Sequence, residues 1–163
     1  MHSRFLTCSL LLLTPISSAI FAPEAGMLSG LSQAAAPVSE PYVQVSSVTV
    51  EPAAIHKSES SNTATVVVQV FVLGKVPPNP KAVIEVGTYS SDPPNNELKY
   101  ENPTRTVSLV KGVTVVKFKA ETTPKTFQGK MKVAATLGGA TKGINIKDSE
   151  PHDYLAELTV IDP

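Results

Sequence analysis

The chain has 163 residues, room for one domain and a leader, and its 14 basic and 14 acidic side chains cancel to a net charge of zero. That balance removes the electrostatic case for nucleic acid or an anionic membrane surface, both of which select clustered Lys and Arg. Trp is absent and the single cysteine, Cys8, falls near the N-terminus, so a domain after it is held by packing, with no disulfide or thiolate metal site.

Residues 1–19 read as a secretory signal peptide. Arg4 supplies the positive end, residues 5–13 the apolar run, Thr14-Pro15 a break, and Ser17-Ser18-Ala19 the small residues a signal peptidase accepts. The run is too short to span a bilayer. A cut after Ala34 competes with one after Ala19. Residues 20–41 carry Gly26, Gly30, the Ala34-Ala35-Ala36 run and three prolines, the composition of a flexible tether.

The first strand is expected over 42–52. Val43 and Val45 take odd positions and Val48 and Val50 even ones, so an inserted residue at Ser46-Ser47 makes a bulge or a crossing between sheets. Residues 53–62 form a polar connection. The stretch 63–73 organises the rest: it is rich in β-branched residues, free of Gly and Pro, and apolar at Ala64, Val66, Val68, Val70 and Val72. Its other face mixes Thr65 and Gln69 with Val67, Phe71 and Leu73. Those three, with Leu155 and Ile161 on the last strand, are expected to be covered by a loop or by the tether. Bare, they would mark a partner surface.

Prolines at 77, 78 and 80 end the central strand's continuation, because proline cannot donate to a ladder. The next strand is expected over 81–89, with Ala82, Ile84 and Val86 against Glu85 and Gly87. Residues 90–103 form a long Pro- and Asn-rich excursion in which Ser90-Ser91-Asp92 reads as a turn. Binding residues concentrate on such loops. Residues 104–110 and 113–120 are expected to form a hairpin around Lys111-Gly112, with Val116, Phe118 and Ala120 inward and Lys117, Lys119 and Glu121 wet. Residues 129–138 turn Met131, Val133, Ala135 and Leu137 inward, and residues 154–161 do the same with Ala156, Leu158 and Val160. Seven short strands with no convincing helix define an all-β, seven-stranded immunoglobulin-like two-sheet sandwich over 42–163.

Residues 127–135, Phe-Gln-Gly-Lys-Met-Lys-Val-Ala-Ala, are similar to the penultimate strand of immunoglobulin-like and fibronectin type III-like modules in exported bacterial adhesion proteins, which commonly reads Gly-x-Tyr-x-Val. Met131 stands where that pattern has tyrosine, and the central Trp is missing, so the tyrosine-corner hydrogen bond cannot form from that position. The resemblance covers about three quarters of the chain. It implies the sandwich architecture and carries over no functional residue.

Chemistry-bearing residues are sparse. His56 and His152 are the only histidines after the leader, and no nucleophile-elbow motif stands near either. The chain therefore reads as non-enzymatic and without a cofactor. Two loops hold the candidate contact residues: Tyr89, Asp92, Asn95, Asn96 and Tyr100 in and beside 90–103, and Asp148, Glu150, His152 and Asp153 before the last strand. The second group contains calcium- or transition-metal-type ligands. Pro151 stiffens it and no Gly-centred turn is present, which favours a solvated loop. The expected role is an exported non-catalytic binding or structural module, of adhesion or protein-interaction type, at or outside the cell envelope. Its partner would be a protein or a surface glycan, with no nucleic acid and no stable membrane insertion. One rival is a carbohydrate-binding accessory module, which requires Tyr89 and Tyr100 exposed on one surface. The other is a strand-exchanging fibre subunit, whose tether pairs with a neighbour's open sheet edge.

Overall fold

The computed structural model describes residues 39–57, 62–147 and 155–162. The expected leader, the tether as far as Val38, and the loop carrying Asp148, Glu150, His152 and Asp153 lie outside those residues. Among the described residues the chain forms strands β1 (Tyr42–Glu51), β2 (Ala54–His56), β3 (Thr63–Leu73), β4 (Lys81–Asp92), β5 (Lys99–Glu101), β6 (Thr104–Ser108), β7 (Gly112–Glu121), β8 (Gly129–Ala140), β9 (Asn145–Ile146) and β10 (Leu155–Ile161). They make two five-stranded sheets, ordered β5-β7-β3-β1-β9 and β2-β10-β8-β4-β6.

The period-2 pattern of β3 decides how the sheets stack. Its five even side chains are buried, with Ala64 3% exposed and Val66, Val68, Val70 and Val72 fully covered. They face Ile84, Met131, Val133, Leu158 and Val160 of the second sheet within one continuous core. Each such valine contributes roughly 1.5–3 kcal/mol by leaving water. Phe118, 1% exposed, is the largest side chain in this core.

β1 changes parity where its sequence does. Val45 pairs with Val70 and Ser47 with Gln69, so Ser46 is the inserted residue, and its hydroxyl donates to the Gln69 carbonyl at 3.1 Å. The insertion is a bulge within one ladder, since β1 stays paired to β3 on both sides of it. The change of sheet comes later, where β2 pairs parallel with β10.

Three expectations are corrected. Among the described residues the sandwich has ten strands rather than seven: β2, β5 and β9 span three, three and two residues, too few for an alternation to show in sequence. Ser90-Ser91-Asp92 is not a turn but the end of β4, paired with Lys132, Met131 and Lys130. The expected hairpin at Lys111-Gly112 is absent, because β6 pairs with β4 in one sheet and β7 with β3 in the other. Leu109 is buried there and its N–H donates to the Pro80 carbonyl at 2.8 Å, while Gly112 at φ 93° lets the chain cross between layers. Two strands of facing sheets and two strands of a hairpin each have one wet face, so alternation alone does not separate them.

Candidate functional site

The connection from β4 to β6 is anchored to the segment between β7 and β8 by buried polar groups. Asn96 is 1% exposed. Its side-chain amide donates to the Phe127 carbonyl at 2.6 Å and accepts from the Phe127 N–H at 2.8 Å. Its own N–H donates to the Ser91 hydroxyl at 3.0 Å. One residue on, the Thr126 hydroxyl donates to the Glu97 carbonyl at 2.9 Å and accepts from the Thr123 N–H at 2.8 Å. Leu98 sinks into the core beside them, 7% exposed. Burial strengthens such bonds and makes their loss costly.

Asp92 and Gly129 meet at the base of the loop. Gly129 sits at φ 150°, and a Cβ on it would collide with the Asp92 carbonyl oxygen. That close approach seats the start of the loop against β8, and only glycine allows it.

The expected contact residues separate on this scaffold. Asp92 and Asn95 are exposed, Asn95 in the left-handed backbone conformation at φ 63°. Asn95 also lines a hollow of about 380 Å³ with Glu97, Leu98, Lys99, Thr123 and Lys125. Lys99 is tied on the far side to Glu121 at 2.9 Å, and that hydrogen bond holds the lysine above and the glutamate below their ordinary pKa values. Asn96, by contrast, faces inward and holds the loop together. Its side chain is not a contact surface, which corrects its place among the expected contacts.

The two tyrosines do not form a platform. Tyr89 is 43% exposed at a bulge in β4, between Thr88 paired with Val133 and Ser90 paired with Lys132. It stands over a shallow groove of about 210 Å³ with Glu85, Gly87, Ala134 and Thr136. Tyr100 is half-buried against the core, and its hydroxyl lies 3.0 Å from that of Thr88. Burial pushes its pKa above the ordinary value, with the Thr88 hydrogen bond opposing. The arrangement required of a carbohydrate-binding accessory, both rings on one surface, does not form.

A second surface extends the outer face of β3, expected from the sequence to be covered, onto residues of β7 that the sequence did not single out. The outer face of β3 is only half covered: Val67 and Phe71 are half-buried and Leu73 is 39% exposed. Directly opposite on β7, Val113 pairs with Phe71 and Val115 with Gln69, and both valines are about half exposed. Val110 lies bare at the adjoining turn. The signal was the outward series Val113, Val115, Lys117, Lys119, apolar for its first half.

Comparison with known proteins adds little to this geometry. No family model matches the chain, and no curated protein matches it. Among solved structures it aligns with the crystal structure of the apo-form Calx CBD1 domain at 15% sequence identity and a TM-score of 0.40, covering 75% of this chain and 98% of that one. A likeness at that level carries no ligand, partner or role to this chain. By its two stacked sheets, with the first strands divided between them, the protein is a β-sandwich of the general immunoglobulin-like class.

Proposed function

We propose that this chain is an exported, non-catalytic binding or structural module of adhesion or protein-interaction type, acting at or outside the cell envelope. Its contact surface is the end of the sandwich formed by the loop between β4 and β6, and its partner is a protein or a surface glycan. The observation that carries this reading is the buried Asn96–Phe127 pairing, which fixes a Pro-rich loop while leaving Asp92 and Asn95 exposed. A loop ordered before it meets its partner loses less conformational freedom on binding.

The test is a crosslinking pull-down from the source cells with the whole chain and with an Asp92→Ala, Asn95→Gly double variant. Glycine at 95 keeps the left-handed backbone and removes only the side chain. One partner recovered by the parent chain and lost with the variant, at unchanged stability, supports the loop. Equal recovery by both removes it from the contact surface.

A further inference from the structure

We propose that the first half of β7 is a docking edge for an extended peptide, one that alternates apolar and small residues and carries a carboxylate at the end reaching Lys117. The surface is separate from the loop between β4 and β6, so neither reading depends on the other.

The backbone directions are set by observed bonds. Thr122 N–H donates to the Asn62 carbonyl, so even residues of β7 turn their peptide groups toward β3. Lys119 and Glu121 pair with β5, and the Lys117 carbonyl accepts from Arg105 at 2.9 Å, so odd residues turn theirs the other way. By the alternation of an antiparallel ladder, Val113 and Val115 present their N–H and C=O groups to that same side. β5 ends its pairing at Lys119, and Arg105 occupies the edge at Lys117. From Val113 to Val115 no described residue takes up the ladder.

The side chains on this edge select the occupant. Val113 and Val115 are 48% and 53% exposed, and they continue sideways into Phe71 and Leu73. An added strand would set apolar side chains against them, which is how strand addition obtains its specificity. Lys111 and Lys117 flank the valines and have no ion pair among the described residues. A second copy pairing antiparallel through Val115 would place Lys111 against Lys119, and like charges directly opposite are unfavourable; pairing through Val113 would set Lys111 on Val115 and Lys117 toward the buried Leu109, with no carboxylate for either lysine. The tether preceding β1 lacks an alternating apolar pattern. A strand ending in a carboxylate meets both requirements.

The test uses the whole chain and the peptide acetyl-Glu-Thr-Val-Thr-Val-Thr-amide, with binding followed by fluorescence anisotropy and amide hydrogen exchange. The expected result is saturable binding that slows exchange at Val113 and Val115. Two peptides N-methylated on alternate amides keep the protein unchanged; one frame should abolish binding and the other retain it. Lys117→Glu should weaken binding roughly five- to tenfold, and a peptide with lysine in place of glutamate should recover it. Val115→Pro, which removes an outward N–H, should fold and fail to bind, whereas Thr114→Pro breaks the ladder to β3. Absence of binding, or binding indifferent to both methylation frames, overturns the proposal. So does protection of Val113 and Val115 without peptide, whether it rises with protein concentration, which assigns the edge to a second copy, or does not, which assigns it to the chain's own N-terminal segment.

Discussion

Replacing Asn96 with alanine isolates the feature on which the loop reading rests. The substitution deletes two hydrogen bonds, of 2.6 and 2.8 Å, and leaves the N–H and C=O of Phe127, a residue whose side chain is itself exposed, facing the space vacated by the buried Asn96 amide. A net loss of about 1 kcal/mol per bond is the lower bound, and leaving both peptide groups unsatisfied raises the total to about 2–4 kcal/mol. Water entering the vacated space would hold the cost toward the lower figure. Urea unfolding reads the change as a shifted midpoint at constant slope, and amide exchange at Phe127 should accelerate far more than exchange in β3. The reasoning is refuted if the loss is under about 0.5 kcal/mol, the level of an ordinary surface substitution. It also fails if Phe127 exchange is unchanged, because the loop would then be held by something else.

Other substitutions test the frame beneath the loop. Val68→Asp places a carboxylate at a fully covered position in β3 and should abolish cooperative unfolding, while Lys117→Ala stays within about 0.5 kcal/mol of the parent in urea. Gly129→Ala should cost about 2–3 kcal/mol, since its methyl group runs into the Asp92 carbonyl; a neutral result by thermal melting would mean that the contact yields freely. Tyr100 is neutral in the fold with its pKa above the ordinary 10.0, so its contribution persists below that value and is lost as pH rises through the folded pKa. Urea midpoints from about pH 8 to about pH 11 should therefore fall for the parent and fall less for Tyr100→Phe.

Much of the sandwich was legible because long strands carry their own evidence. The even face of β3 and the parity change at Ser46 were readable residue by residue, and both lie where alternation places them. Pairing partners were less legible. The β6 and β7 stretches alternate as hairpin strands would, and the crossing between sheets shows in their pairing with β4 and β3 and in the buried Leu109, bonded to the distant Pro80 carbonyl. The short strands β2, β5 and β9 owe their existence to neighbours brought alongside by the fold, which two or three residues cannot announce. In the loop, composition marked the region but not the roles within it. Asn95 and Asn96 are chemically identical neighbours, one exposed and one buried, and the difference arises at Phe127, 31 residues away from Asn96. Val113 and Val115 were visible as an apolar start to the outward face of β7, yet their meaning depends on Phe71 lying opposite and on β5 stopping short.

The most direct test of the binding role is site-specific photocrosslinking on the source cells, with a photoreactive side chain at Asn95 in one variant and at exposed Lys132 on β8 in another. A discrete adduct from position 95, absent from position 132 and competed away by unlabelled parent chain, is the result the account predicts. Equal labelling from both positions, or none from position 95 in a chain that retains its parent stability, would contradict it.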